Sequence, residues 1–496
     1  MSDIYSDREA DWRKGALIYQ VLVDRFAPSN NIDAKKHLYP EPKKLMDWQQ
    51  VPKHGVYLES EKLWSHEIEF WGGDLNSVAS KLDYLQALGV DIVYLNPIHD
   101  AYTNHKYDAL DYKKVSPEFG ERSDVAKLAD AIHKQGMKLV LDGVFNHMGR
   151  NSNFFQLAQS NQKYQDWFVW DEQAEAGYIA WADALNLPEL NLENKEVRDY
   201  VYLNSDSVVQ GYLQNGVDGW RLDVAFDIGF DYLYELTQAA HTVREDALVV
   251  GEIWNYPAHW FPSIDGIMNF TFRGIIYHLL SGQLSVSAAS KMLIRVVSDT
   301  DYEHLLMSWI VLDNHDTARL KTALSSTWQQ RLAQLLQMTL PGSPNVYYGV
   351  EVGMEGGEDP EMRAPMRWDW VTEDNEHYTW FRQLIQLRRS HRALVVGDFR
   401  AVTCEHLLGF ERYTDKVSET VLILVNSHSE DITETILVAN SKLMNGAGFI
   451  DLLTGRDADL SIKAGLMTVH VEAHSARLLM PKREPPGRYT AYKRTP

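Results

Sequence analysis

Over roughly its first 390 residues the chain alternates short apolar runs with amphipathic stretches. The runs are Ala16–Val23, Val90–Asn96, Lys138–Asp142, Val217–Asp223, Ala247–Glu252, Gly266–Asn269, Leu305–Leu312 and Asn345–Tyr348. Each is short, rich in β-branched or aromatic residues, and bounded by Gly, Pro or polar residues, as buried strands are. Helical periodicity lies between them. Val78, Leu82, Leu85 and Leu88 form one stripe over Asn76–Leu88, and Val125, Leu128, Ala129 and Ile132 form another over Asp124–His133. Gly89 and Gly136 follow these stretches, where a left-handed cap would close a helix. Eight strands alternating with helices predict a parallel sheet with crossovers, which closes naturally as a (β/α)8 TIM barrel. An open doubly wound sheet is disfavoured, because no G-x-G-x-x-G follows the first strand.

Two connections are too long for ordinary barrel loops. One runs from about Ala27 to Phe70. The other, from Met148 to Asn204, is aromatic and polar with little periodicity, and is expected to form a small inserted domain. After Arg392 the pattern changes to closely spaced β-rich runs, among them Thr420–Asn426, Asp431–Val438 and Leu466–Val471. The expected organisation is a barrel of residues 1–147 and 205–391, an inserted domain of 148–204, a C-terminal β-sandwich of 392–482 and a Pro-rich basic tail of 483–496.

Composition narrows the function. The 48 Lys and Arg against 69 Asp and Glu leave a formal net charge of −21. Such a surface repels phosphate backbones and argues against a nucleic-acid partner. A single cysteine, Cys404, permits no disulfide within the chain and reads as a packing residue. The N-terminus lacks a basic start followed by an apolar run, and no stretch approaches the length of a membrane-spanning helix, so a cytoplasmic protein without a membrane partner is expected. The 15 Trp, 25 Tyr and 16 Phe are mostly core, with some free to act as flat platforms.

In TIM barrels the chemistry sits where strands end. Four runs end alike: Asp142-Gly143-Val144-Phe145-Asn146-His147, Gly219-Trp220-Arg221-Leu222-Asp223, Gly251-Glu252-Ile253-Trp254, and Leu312-Asp313-Asn314-His315-Asp316. Strand alternation puts Arg221 and Asp223 on the interior face and turns Trp220 and Leu222 toward the helices. A charged pair inside a barrel is costly unless paired and hydrogen-bonded. At one strand the alternative is a structural ion pair, but four carboxylate-bearing strand ends point to catalysis.

Together these motifs, DGVFNH, GWRLDVA, GEIW and DNHD, with Leu187-Pro188-Glu189-Leu190-Asn191 as a fifth, resemble the α-amylase family, glycoside hydrolase family 13. The resemblance implies the barrel, the inserted domain after the third strand, and retaining hydrolysis of α-linked glucose in oligo- or polysaccharides. By position Asp223 matches the nucleophile, Glu252 the general acid/base, and Asp316 the carboxylate that stabilises the transition state. Arg221 is expected to keep Asp223 ionised, Glu252 to have a raised pKa, and the two carboxyls to stand about 5 Å apart. Asp142, His147 and His315 match further substrate-site residues. Tyr107, in Asn104-His105-Lys106-Tyr107-Asp108, matches a residue that stacks on the ring being cleaved. Asp359 and Arg363 match residues that hold hydroxyls on the non-reducing side, the alternative for them being a surface salt bridge.

The N-H-K-Y-D, G-E-I-W and G-x-D-P-x-x-R segments look most like the neopullulanase and cyclomaltodextrinase branch, which acts on cyclodextrins, maltodextrins and pullulan. Three features depart from it. The first strand begins near Ala16, which leaves out the branch's N-terminal β domain and favours a monomer. Leu187 and Glu189 replace a Met and a Lys, and Phe226-Asp227 replaces Asn-Glu after the nucleophile. Asn146 matches a calcium ligand of many amylases, but the Lys-His pair that completes that site is absent. No cofactor is required on this reading, and calcium stays an open alternative. General α-amylase action on starch, an α-glucosidase or transglycosylase, and a non-catalytic carbohydrate-binding relative are the competing readings.

Overall fold

The eight strands close as the periodicity predicts. In a computed structural model that describes residues 3–160 and 162–482, they are β1 (Ile18–Val21), β2 (Ile92–Leu95), β3 (Lys138–Gly143), β4 (Gly219–Leu222), β5 (Leu248–Ile253), β6 (Gly266–Asn269), β7 (Trp309–Val311) and β8 (Ser343–Tyr347). Each pairs in parallel with its sequence neighbours, and β1 pairs with both β2 and β8, closing the barrel. Ile92, Tyr94, Val140, Val250, Met268, Trp309 and Val311 fill the interior as one apolar cluster. The alternate residues, including Val93, Leu95, Leu139, Leu141, Trp220, Leu222 and Val249, join the core shared with the helices. The expected outward orientation of Trp220 and Leu222 is therefore observed. The expected tail, 483–496, lies outside the described residues.

Two elements differ from the periodic reading. The Leu305–Leu312 run is a helix, Tyr302–Met307, followed by the three-residue strand β7. Asp301 nucleates that helix, its carboxylate accepting from the N–H groups of Glu303 and His304 at 2.9 and 3.3 Å. The Asn76–Leu88 stripe is two helices, Leu75–Ala79 and Leu82–Leu88. Between them the Ser80 hydroxyl donates to the Ser77 carbonyl at 2.6 Å, and Lys81 leaves the helical region. A local side-chain bond of this kind competes with the helix. Gly89 does end the second helix in the left-handed region, at φ 93°.

The 148–204 excursion folds around rings instead of a regular sheet. Phe154, Tyr164, Trp167 and Tyr200 form one aromatic cluster, and Phe155, Phe168, Trp170 and Tyr178 form another. Isolated bridges such as His147 to Glu189 fasten the excursion to the end of β3. Beyond the barrel lie β9 (Asp398–Val402), β10 (Leu408–Tyr413), β11 (Val421–Asn426), β12 (Ile432–Leu437), β13 (Gly448–Asp451), β14 (Arg456–Ser461), β15 (Leu466–Val471) and β16 (Ser475–Pro481). They form a six-stranded sheet in the order β9-β10-β11-β16-β13-β14 and a pair, β12-β15. Strand β11 is buried on both faces. Leu422 and Leu424 pack in the sandwich interior, and Val421, Ile423 and Val425 pack in the core shared with the barrel. Cys404 packs against the sandwich core. Among the described residues no helix is long and apolar enough to cross a membrane.

His99, just past β2, is enclosed by the rings of Tyr112, Tyr212 and Trp220, and neither of its ring nitrogens is hydrogen-bonded. Burial holds its pKa down at about 3. A depressed imidazole pKa contributes stability that is present above the unfolded value of about 6.5 and is lost as pH falls toward the folded value. Replacing His99 by Phe is therefore expected to remove on the order of 3 kcal/mol of the stability change between pH 7 and pH 4. Urea unfolding of both proteins at the two pH values checks this. Equal losses would show that His99 does not contribute.

Candidate active site

The polar residues of the strand ends converge on Arg221. It lies in β4 opposite Asp142 of β3 and Val250 of β5 in the barrel register. Its side chain is fully buried and faces three carboxyls at once. Nη1 donates to Asp142 Oδ1 at 2.9 Å and Oδ2 at 3.0 Å, and to Asp223 Oδ1 at 2.9 Å. Nη2 stands 3.0 Å from Glu252 Oε2, and Nε points at the Met268 sulfur. One cation thus serves three buried acids, so at least one proton is favoured on the cluster.

Arg221 does favour the ionised form of Asp223, as expected, but its pull is shared with Asp142 and Glu252. Burial, reinforced by the charges of Glu252, Asp142 and Asp316, raises the Asp223 carboxyl well above the ordinary range, with Arg221 opposing the shift. Burial likewise pushes Asp142 up to about 6 against the pull of Arg221 and the hydroxyls of Tyr94 and Tyr107. The retained proton belongs to the coupled cluster.

Glu252 is held at both oxygens. Oε2 accepts from the Val224 N–H at 3.0 Å, and Oε1 accepts from Trp254 Nε1 at 3.0 Å. Val224, directly after Asp223, is a β-branched residue at φ 47°, ψ 41°. L-residues of this shape pay for the left-handed region, and such strain persists where the surroundings impose it. Here it turns the chain sharply at the end of β4, so that the Asp223 side chain and the Val224 N–H both face Glu252.

A second group lines the opposite wall. Arg363 Nη1 pairs with Asp359 Oδ1 at 3.0 Å, and Nη2 lies 3.5 Å from Asp316 Oδ1. Although burial works the other way, Arg363 and His66 hold Asp359 well below the usual carboxylate range. Desolvation in the cavity raises Asp316 against the pull of Arg363 and Arg221, although 33% of its side chain stays exposed. His315 Nδ1 faces the amide nitrogens of Gln20 at 2.9 Å and Asn96 at 3.1 Å. Two donors on Nδ1 place its hydrogen on Nε2, which faces the Tyr107 hydroxyl and Asp316 Oδ2. Burial, with the Arg221 and Arg363 charges, holds His315 neutral. His147 is also neutral, its pKa brought down to about 3 by burial. Its Nε2 is 4.0 Å from Asp223 Oδ2, and among the described residues neither ring nitrogen makes a hydrogen bond.

These walls enclose a cavity of about 410 Å³. Tyr107, His147, Asp223, Glu252, Asp316, Asp359 and Arg363 face it. Arg221, Asp142 and His315 lie beneath its floor and reach it through the residues they hold. Asp359 and Arg363 thus pair at the cavity wall, the Asp359 side chain still 44% exposed and that of Arg363 12%. Sequence reasoning missed several further wall residues: Trp181, whose ring lies 5.6 Å from that of His147, Trp254, Glu67 and His105. Trp254 had a usable signal, since it follows Glu252 by two residues and alternation turns it to the same side. Trp181 and Glu67 come from the two long connections and had none. Asn146, the calcium candidate, is buried near this cavity. Among the described residues no group of three or more His, Cys, Asp or Glu side chains converges as a metal site.

Residues 20–373 match the family described as "Alpha amylase, catalytic domain". The chain is 31% identical over 477 residues to neopullulanase 2 of Thermoactinomyces vulgaris, a match covering 92% of this chain and 76% of that protein. It is 32% identical over 432 residues to a cyclomaltodextrinase of a Bacillus species, covering 84% and 73%. The ligand-free structure of cyclic α-maltosyl-(1→6)-maltose hydrolase from Arthrobacter globiformis superposes with a TM-score of 0.79 at 26% identity, covering 95% of this chain and all of that one.

Proposed function

Because the chain belongs to the α-amylase family of glycoside hydrolases, we propose that it cleaves α-1,4-glucosidic bonds of short maltodextrins and cyclodextrins by double displacement with retention. The observation that carries this reading is the shared guanidinium. Asp223 Oδ1 and Glu252 Oε2 hang on its two terminal nitrogens at 2.9 and 3.0 Å. The shared contact holds the two carboxyls beside each other at one end of the barrel, an arrangement compatible with one acting as nucleophile and the other as acid/base.

In the first displacement Asp223 attacks the anomeric carbon while Glu252 protonates the departing glycosidic oxygen. The C–O bond to the leaving group breaks as the bond to Asp223 Oδ2 or Oδ1 forms, giving a glycosyl ester. Glu252, now ionised, takes a proton from water, which attacks the same carbon and frees Asp223. Substrate entry excludes water from the first of these displacements. The unbonded nitrogens of His147 are free for a sugar hydroxyl. Asp316, with Arg363 beside it, gains hydroxyl contacts as the ring flattens, which stabilises the transition state more than the ground state. Tyr107 offers its ring to the sugar, and Asp359 and Arg363 take the hydroxyls of the next unit on the non-reducing side.

Short substrates are favoured because the cavity is walled on facing sides, by Trp181 and Leu187 of the 148–204 excursion and by Glu67 and His105. The single cysteine also fits a cytoplasmic role. The test is a time course on β-cyclodextrin, maltotriose, pullulan and soluble starch, with the anomer of the first product read by NMR. Cyclodextrin and maltodextrins are expected to fall much faster than starch, with the α-anomer appearing first. Starch cut as fast as the small substrates would assign a general α-amylase, and a β-anomer would overturn retention. An EDTA arm of the same time course tests calcium separately, with unchanged rates as the expected result.

A further inference from the structure

The cavity wall continues past Asp359 onto a surface of rings. His66 makes the join. Its Nδ1 accepts from the Gly55 N–H at 3.0 Å, which leaves the hydrogen on Nε2, 3.4 Å from Asp359 Oδ2. On its outer side the His66 ring lies nearly parallel to Trp64, at 6.3 Å and 23°. His54 stands 4.7 Å from Trp64 and 5.3 Å from His66. Tyr57 meets Trp64 edge-on at 5.5 Å. His66 is buried, whereas Trp64 and Tyr57 are 40% and 39% exposed.

The fold does not need these exposed rings. They sit on a two-stranded hairpin in which Tyr57 pairs with Trp64 and Leu58 with Leu63. Polar groups fasten its base. The Ser65 N–H donates to the Val56 carbonyl at 2.9 Å, and the Val56 N–H donates to Ser65 Oγ at 3.1 Å. The Trp64 N–H donates to Glu67 Oε2 at 2.5 Å, and Glu67 Oε1 is held by His105 Nε2 at 3.0 Å. Glu67 and His105 also line the cavity, so the hairpin is hydrogen-bonded directly to the cavity wall. Nearby Lys62 and Glu59 pair with each other at 2.9 Å, so the lysine charge is answered within the hairpin. A neutral ligand with flat apolar faces and hydroxyl edges fits such a platform, and its continuity with the cavity says which one.

We propose that Trp64, flanked by His54 and Tyr57, is an outlying binding platform for glucose units at the non-reducing end of an α-glucan whose next units occupy the cavity. This rests on the reading of the cavity as a glucan-cleaving site. Trp64 takes a pyranose face, and the His54 ring and Tyr57 hydroxyl meet its edges. Chains that reach from the bond being cleaved past Asp359 gain the contact, and shorter ones do not.

The test compares maltotriose with maltoheptaose in the full-length protein. In Trp64→Ala the ratio of kcat/KM for maltoheptaose to that for maltotriose is expected to fall about tenfold. Trp64→Phe, which keeps a ring, is expected to retain most of the ratio, and Tyr57→Ala to lose less than Trp64→Ala. A ratio changed less than about twofold, or an equal loss on both substrates, overturns the platform. Calorimetric binding of maltoheptaose to Asp223→Asn and to Asp223→Asn/Trp64→Ala separates this from the function itself. If the intact protein cleaves neither sugar, the hydrolase reading of the cavity fails. The platform then fails too only if maltoheptaose does not bind to Asp223→Asn, or binds equally with and without Trp64.

Discussion

Asp223→Asn is expected to lower turnover of cyclodextrin and maltotriose by on the order of 10⁴-fold or more, the scale seen when the attacking group of a concerted site is removed. The same substitution is expected to leave unfolding stability at neutral pH undiminished, or to raise it. The two expectations share one cause. Asp223 is buried among Asp142, Glu252 and Asp316, and burial with those charges raises its pKa. A carboxyl whose folded pKa is raised contributes stability that is complete below the unfolded value of about 3.9 and is lost as pH rises through the folded value. At neutral pH it is therefore a burden on the native state. Asn has the same shape, still accepts from Arg221 and carries no charge, but it cannot attack an anomeric carbon. Parallel rate measurements and urea melts at pH 7 decide the matter. Residual activity within about tenfold of the parent would remove Asp223 from the role of nucleophile. A stability loss of several kcal/mol would contradict the charge argument.

Arg221→Met is expected to go the other way, abolishing activity and destabilising the fold by about 3–5 kcal/mol, as when one partner of a buried ion pair is deleted. Three carboxyls, those of Asp142, Asp223 and Glu252, would lose the cation within 3.0 Å of each of them. They can respond only by taking up protons, so the shortfall against the parent protein should grow as pH rises from 5 to 8. Arg221→Lys restores a charge but not a planar fork able to reach three acids. It is expected to recover part of the stability and little of the rate. Urea melts of the three proteins across that pH range test this. Equal stability of Arg221→Met and the parent at pH 8 would show that the guanidinium is not what makes three buried acids tolerable.

The barrel was legible because its strands are buried on both faces, and such strands write themselves as short continuous apolar runs between breakers. The reading slipped where apolar content and conformation part company. In Leu305–Leu312 a capping Asp301 turns the first half into helix, and in Asn76–Leu88 the Ser80 hydroxyl breaks a stripe that hydrophobicity alone would leave whole. Strand alternation also oriented Arg221 and Trp220 correctly, since a period of two leaves no other choice. The cavity wall was less legible. Trp181, Glu67 and the 57–64 hairpin sit in connections without periodicity, where position depends on contacts with remote residues such as His147, His105 and Asp359.

The sequence by itself determined the closed parallel barrel, the β-rich C-terminal unit and the identity of the acids at the strand ends, because burial and strand geometry are local and periodic. Only the tertiary structure decided how those acids share charge. Three carboxyls from adjacent strands meet one guanidinium, and the strained turn at Val224 aims a backbone N–H at Glu252. Neither feature is a property of any one segment. Proton affinity depends on what lies within a few ångströms in space, and chain order does not specify that distance until the barrel has closed.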